Sequence, residues 1–132
     1  MQVNILDAAG ARTHAPQLRA LLLDAVAHGA SVGFVMSLAE AQAAAYWRTV
    51  IEAVDEGSRI LLVGWRDDVM VGTVQLDLCM KPNGSNRAEV QKLLVHSGAR
   101  RGGVGTGLMA AAETQALALR RGLLFLDTEA GS

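Results

Sequence analysis

Apolar residues along the chain change their period several times, and each change marks an element. "QVNIL" (Gln2 to Leu6) has the character of a short strand, ended by Asp7 and Gly10. From Thr13 to His28, Leu18, Leu21, Leu22 and Val26 recur at helical spacing, with Gly29 as the stop. "GASVGF" (Gly29 to Phe34) is a loop. Ser37, with Glu40 three residues on, forms a capping box for a second helix running to about Glu56. "RILLVGWRD" (Arg59 to Asp67) and "VMVGTVQLDLCM" (Val69 to Met80) are β-rich runs either side of Asp67-Asp68, which makes them a hairpin. The turn cluster "KPNGSN" (Lys81 to Asn86) leads to a third run, "RAEVQKLLV" (Arg87 to Val95). After a glycine-rich segment, Val104 to Arg121 is an Ala/Leu/Met helix ended by Gly122, and "LLFLDT" (Leu123 to Thr128) is a final, continuously apolar strand.

The order β-α-α-β-β-β-α-β predicts an α/β fold with a mixed, mostly antiparallel sheet flanked by helices, in which an antiparallel meander feeds one βαβ unit. Residues 1–132 are read as one domain, with no internal repeat and no low-complexity linker. The last strand has the apolar character of an interior strand, yet the sequence stops five residues after Asp127. The expectation is therefore a fragment, incomplete after the fifth strand, or a form completed by another segment.

Composition narrows the function classes. The 132 residues are 51% hydrophobic and 19% charged, with a net charge of −1, which argues against a general nucleic-acid or membrane-surface binder. A lone cysteine, Cys79, excludes an internal disulfide framework and suits a reducing compartment, so a cytoplasmic location is expected. No basic-then-apolar leader and no run of ~20 apolar residues is present. His14, His28 and His96 have no metal-ligand spacing and read as surface or capping residues, so no metal is expected.

The chemistry-bearing stretch is "LLVHSGARRGGVGTGLMAAAE" (Leu93 to Glu113). A helix N-terminus leaves its first amides unpaired and carries about half a positive charge. Glycine there lets a phosphate reach those donors, and Arg100 and Arg101 add two guanidinium groups just ahead of the turn. The physical reading is a pyrophosphate cradle; the plainer alternative is close helix–sheet packing with solvated arginines. A Walker-type loop is excluded because no lysine follows the glycines. A dinucleotide fingerprint has Gly103-x-Gly105 and Asp127 about 20 residues on in its favour. Against it, Leu108 stands in the third glycine's place, and the unit comes late in the chain.

A third signature, Arg/Gln-x-x-Gly-x-Gly/Ala, is met by Arg100, Gly103 and Gly105 after a strand ending in Leu-Leu-Val. That motif in this element order resembles the GNAT superfamily of acyl-CoA-dependent N-acetyltransferases. "GASVGF", "LCMKPNGSNRAEVQKLLV" and "RGLLFLDTEAGS" are similar to its tabtoxin-resistance branch, in which further elements follow "LDTEAGS". The resemblance implies acetyl-CoA as co-substrate and a small amino-acid-like amine, or a β-lactam antimetabolite, as acceptor. It leaves a homodimer open. By position, pantetheine would pair with backbone groups of Leu93, Leu94 and Val95. The pyrophosphate would lie on the amides of Arg101, Gly102, Gly103, Val104, Gly105 and Thr106, with Arg100 nearby. Gly102 and Thr106 depart from the basic residues relatives often carry there, which weakens the electrostatic grip on CoA but not its geometry.

Acetyl transfer to an amine calls for a general base, an oxyanion donor and a general acid. The resemblance offers two bases, Asp127 at the end of "LLFLD" and Glu89 on the preceding strand, with Asp127 preferred. Their plainer readings are a turn cap for Asp127 and a strand charge paired with Arg87 or Lys92 for Glu89. The oxyanion donor would be a backbone amide near Val95, and the acid a tyrosine on a helix following "TEAGS". Phe34, in the loop that roofs the acceptor site of such enzymes, is a substrate-contact candidate; helix packing is its alternative. Tyr46 is expected to pack with Trp47. Two other classes stay open: a non-catalytic CoA-binding or dimerisation module, and a dinucleotide-binding fold.

Overall fold

A computed structural model describes residues 1–28, 39–78, 87–99, 102–119 and 122–125. Five strands form one sheet in the order β1 (Gln2–Leu6), β2 (Arg59–Arg66), β3 (Val69–Leu78), β4 (Arg87–Val95) and β5 (Gly122–Phe125). The first four pair antiparallel, and β5 pairs parallel with β4. That is the expected mixed, mostly antiparallel sheet closed by a βαβ unit. The antiparallel meander does not fit the dinucleotide-binding alternative, which is built from parallel βαβ units.

Helices cover both faces. On one lie α1 (Ala8–Thr13), α2 (Ala15–Ala27) and α3 (Glu40–Asp55), packed on Leu61, Val63 and Leu94. On the other lies α4 (Val104–Ala118), whose Val104, Leu108, Ala112 and Ala116 recur every four residues and bury one stripe on Leu62, Val74, Leu76 and Val90. Tyr46 and Trp47 make the expected contact, an edge-on arrangement at 5.2 Å. Among the described residues, no helix is long and apolar enough to cross a membrane.

Several boundaries differ from expectation for local reasons. Asp7 and Gly10 do more than end a strand: the Asp7 carboxylate accepts the Gly10 amide at 2.7 Å and caps the short α1. The helix expected from Ser37 starts instead at Glu40, with Ala39 as N-cap, because Gln42 Oε1 accepts the Ala39 amide at 2.8 Å; Ser37 lies outside the described residues. Helix α4 ends at Ala118 rather than near Arg121, and Gly122 opens β5 instead of capping the helix. The β2–β3 hairpin turns at Asp67 and Asp68, with φ of 52° and 63°, the left-handed pair of a two-residue turn.

Helix α4 sits close because two glycines lie under it. Gly64 and Gly72 are partners on adjacent strands, and an added Cβ on Gly72 would fall 2.8 Å from Leu94 O, Leu108 Cδ1 and Val104 Cγ1. The backbone oxygen cannot move aside without displacing β4. Gly72→Ala is expected to destabilise the fold by about 1–3 kcal/mol, the range for overpacking a filled core. Urea denaturation measures this, and an unchanged midpoint would show that the seat has slack.

Candidate functional site

Strand β4 carries one residue more than β3 where they pair. Thr73 faces Leu94 and Gln75 faces Gln91, and Lys92, with φ of 54°, lies within the longer span. The extra residue changes which face each side chain takes. Before it, Ala88 and Val90 join the core on the α4 side; after it, Leu93 and Val95 do, and Leu94 joins the opposite core. Parallel pairing with β5 covers only Arg87 to Val90, so among the described residues the β4 backbone from Gln91 to Val95 has a strand partner on one side only.

Beyond β4 the chain makes a 3-10 turn at Ser97–Ala99, stabilised by the Gly98 amide on His96 Nδ1 at 3.0 Å and the Ala99 amide on His96 O at 2.9 Å. Gly103 then takes φ of 76°, a conformation glycine enters without penalty, and caps α4. The Gly107 amide bonds Gly103 O at 3.0 Å to begin the α4 ladder, so the amides of Gly103, Val104, Gly105 and Thr106 precede it. Val104 is buried and anchors the turn, whereas Thr106 is exposed. Open space surrounds Gly103 where a Cβ would stand, and Gly105 rests beside Val95 and Leu93. Free amides, a macrodipole and open space over a glycine fit an anionic phosphate group.

A carboxylate fixes this loop to α2. Asp24 accepts the Ser97 amide and the Ser97 hydroxyl, both at 2.8 Å. His28 Nδ1 and His96 Nε2 lie 3.4 and 3.8 Å from Asp24 Oδ1. Because His96 Nδ1 accepts from Gly98, its Nε2 carries the proton in the neutral ring and faces the carboxylate. Burial alone would raise the Asp24 pKa; the Ser97 hydrogen bonds, helped by the two histidines, outweigh it and hold the carboxyl below the ordinary aspartate value.

The sheet face towards α2 and α3 carries a polar ladder that crosses three strands. Arg59 donates to Gln75 Oε1 at 3.1 Å and Asp77 Oδ2 at 3.3 Å; Gln75 donates to the Tyr46 hydroxyl at 3.0 Å. Gln91 bridges Asp77 Oδ2 at 3.3 Å and Glu89 Oε2 at 3.4 Å. Arg59, Asp77 and Glu89 are successive register partners. Among these described contacts one guanidinium is set against two carboxylates, Asp77 and Glu89. Among the described residues, Glu89 accepts from Gln91.

Of the residues singled out from sequence, Leu93, Val95, Val104 and Gly105 come together on the α4 side, with Gly102 and Gly103 in the adjoining loop and Thr106 in the first turn of α4. Leu94 contributes its side chain to the opposite core, and Glu89 lies on that opposite face. Phe34, Arg100, Arg101 and Asp127 lie outside the described residues, as does Cys79. Sequence reasoning missed Asp24, Arg59, Arg66, Gln75, Asp77 and Gln91. The ladder had a signal: polar Gln75 and Asp77 in "VQLDL" and Glu89 and Gln91 in "AEVQ" alternate with apolar residues on two strands that the hairpin order places side by side.

A profile of the acetyltransferase (GNAT) family matches residues 28–132, so the chain belongs to that family. The fold is similar to that of a ribosomal-protein-alanine N-acetyltransferase from Brucella melitensis, with TM-score 0.72 and 20% identity over 95% of this chain and 73% of that one. It is also similar to an aminoglycoside acetyltransferase from an uncultured soil metagenomic sample, solved with sisomicin, with TM-score 0.70 and 14% identity over 99% and 80% of the two chains. An aminoglycoside 6′-N-acetyltransferase complexed with coenzyme A matches with TM-score 0.65 and 19% identity, over 91% of this chain and 57% of that one.

The Asp24 clip has a pH signature. A carboxyl whose folded pKa is depressed contributes stability that is fully present above the unfolded value of ~3.9 and is lost as pH falls through the folded one. The stability gap between wild type and Asp24→Asn is expected to be constant at higher pH and to shrink below ~3.9. Urea titrations at pH 5, 4 and 3 check it; a gap that persists unchanged at pH 3 would remove the charge from the clip.

Proposed function

We propose that the protein transfers an acetyl group from acetyl-CoA directly to a small amino-acid-like amine, with a β-lactam antimetabolite of the tabtoxin type as one acceptor within that class. The observation that carries this reading is the pairing of a glycine-capped α4 N-terminus with a bulged β4 that, among the described residues, has a strand partner on one side only from Gln91 to Val95. Family membership supports the donor. Among the structures it resembles, one is complexed with coenzyme A, and the names of the others describe transfer to a protein alanine and to aminoglycosides. The small-amine acceptor rests on the tabtoxin-branch likeness of the sequence and on the carboxylates Asp77 and Glu89 of the polar ladder.

Bound acetyl-CoA would supply the acetyl group as an activated thioester. The chain's own groups divide the remaining work. Amides of Arg101 and of Gly103 through Thr106, with Arg100, hold the pyrophosphate, while the expected Gly102 amide is already donated to Ala99 O at 3.1 Å; backbone groups of Leu93, Leu94 and Val95 align the pantetheine arm. A backbone amide near Val95 faces the developing oxyanion. An amine arrives mostly as an ammonium ion, so a carboxylate must take its proton before the nitrogen can attack. Asp127 and Glu89 are the two candidates for that base. Glu89 has a prepared position: Gln91 holds one of its oxygens, and Arg59 engages Asp77 and not Glu89.

Thiol release from acetyl-CoA with a panel of small amines and amino acids tests the proposal. Turnover with an amino-acid-like amine is expected; CoA binding with no thiol released would make the chain a non-catalytic binding module. The base is found by substitution. Asp127→Asn is expected to keep near-normal CoA affinity while turnover falls ~100-fold or more, the range for a lost general base. If Asp127→Asn retains turnover and Glu89→Gln loses it, the base is Glu89. Arg100→Ala is expected to weaken CoA ~10-fold or more while sparing pantetheine, because a charged hydrogen bond contributes ~1.5–3 kcal/mol. Calorimetry with both ligands checks this.

A further inference from the structure

The glycine loop meets a cation from a distant hairpin. Arg66, the last residue of β2, donates from Nη2 to Gly102 O at 2.9 Å. Its guanidinium fills the space a side chain at position 102 would take: an added Cβ would lie 2.5 Å from Nη1, 2.9 Å from Nη2 and 3.1 Å from Cζ. Glycine at 102 is what admits it. Arg66 is also held from its own side. It pairs with Val69 across the turn made by Asp67 and Asp68, whose left-handed backbone fixes the hairpin.

Two features show that the guanidinium does more than brace a carbonyl. A guanidinium has five N–H donors, and the Gly102 bond uses one of them. Among the described residues Arg66 pairs with no carboxylate, although Asp67 and Asp68 follow it directly in the chain. It thus keeps its charge and most of its donor fork beside the loop whose next residues, Gly103 to Thr106, present the amides that precede the α4 ladder. That loop has no side-chain cation of its own at Gly102 or Thr106. A planar fork beside free amides matches the oxygens of a phosphate diester or diphosphate.

We infer that Arg66 is a donor-binding residue, which brings to the glycine loop from the β2–β3 hairpin the cation that position 102 lacks and engages the diphosphate of CoA. This rests on the acetyl-CoA reading above. Gly102 and Arg66 then form one functional pair: the small residue makes room, and the remote arginine supplies the charge. The 3′-phosphate of CoA is the other source of the same chemistry, and ligands that lack it separate the two.

Calorimetry of the full chain with CoA, dephospho-CoA and pantetheine is the test, with melting temperatures recorded for each variant. Arg66→Gln is expected to weaken CoA and dephospho-CoA alike, by about tenfold or more, and to leave pantetheine unchanged. Gly102→Ala, which displaces the guanidinium without removing it, is expected to reproduce that pattern. The double variant Arg66→Gln/Gly102→Arg, which moves the cation into the loop itself, is expected to recover most of the loss. Equal weakening of all three ligands would reduce Arg66 to a structural brace and overturn the inference. Weakening of CoA alone would move the contact to the 3′-phosphate and overturn the diphosphate assignment. If the wild type binds none of the three, the acetyl-CoA reading itself fails. If the wild type binds CoA and Arg66→Gln binds it equally well, only the Arg66 inference fails.

Discussion

One extra residue in β4 is the constraint on which the rest of the structure depends. A strand alternates faces with a period of two, so a single insertion sends every later side chain to the other side. With Lys92 in the inserted span, Glu89 and Gln91 point to the α2–α3 face while Leu93 and Val95 point to α4. Without it, Leu93 would join the polar ladder and Leu94 would replace it in the α4 core. Among the described residues, pairing to β5 reaches Val90, just before the stretch in which the side chains change phase. One local departure from ideal geometry therefore sets which β4 side chains join the polar ladder and which join the α4 core.

The second constraint is how closely α4 approaches the sheet. Gly64 and Gly72, side by side on β2 and β3, form a floor without side chains, and Val104 and Leu108 settle on it. That depth sets the position of the helix N-terminus and of the glycine loop ahead of it. The loop is then held from two further directions, by Asp24 on α2 through Ser97 and by Arg66 on β2 through Gly102. Each contact uses a charged group on a short, geometrically fixed target, and charge-assisted bonds of that kind are the stronger sort. Loops that carry function are usually mobile. Here the backbone on either side of Arg100 and Arg101 is tied down, which lowers the ordering cost of binding a ligand.

Much of this was legible from local pattern, and the limits follow from range. The bounds of β4 and the Asp67-Asp68 turn were readable because alternation and turn chemistry are local signals. Helix α1 was missed because Asp7 and Gly10 look the same whether they end a strand or cap a helix. The phase slip in "AEVQKLLV" is visible in the letters, since polar residues at every second position give way to three apolar residues in a row. Arg66 and Gly102 are 36 residues apart, and Asp24 and Ser97 are 73 apart, so no spacing rule joins them. A remote arginine that fills the space above a glycine leaves no local trace. It becomes visible only when the hairpin and the loop are placed in the same structure.

The polar ladder shows why two neighbouring carboxylates need not share a role. Asp77 stands between Arg59 and Gln91, and its Oδ2 accepts from both. Spending that oxygen on structure fixes the middle of the ladder. Glu89, at the end of the ladder and half-buried, is held among the described residues by the Gln91 amide through one oxygen. A base needs an oriented carboxylate with one oxygen available to the incoming proton. Both carboxylates are oriented and, among the described residues, each keeps one oxygen unengaged; they differ in that the engaged oxygen of Asp77 accepts from a guanidinium and that of Glu89 from an amide. The ladder thus orients Glu89 through Gln91, while the Arg59 guanidinium is committed to Asp77 and Gln75. Should substitution assign the base to Glu89 rather than Asp127, the commitment of Arg59 to Asp77 is what leaves Glu89 to the Gln91 amide.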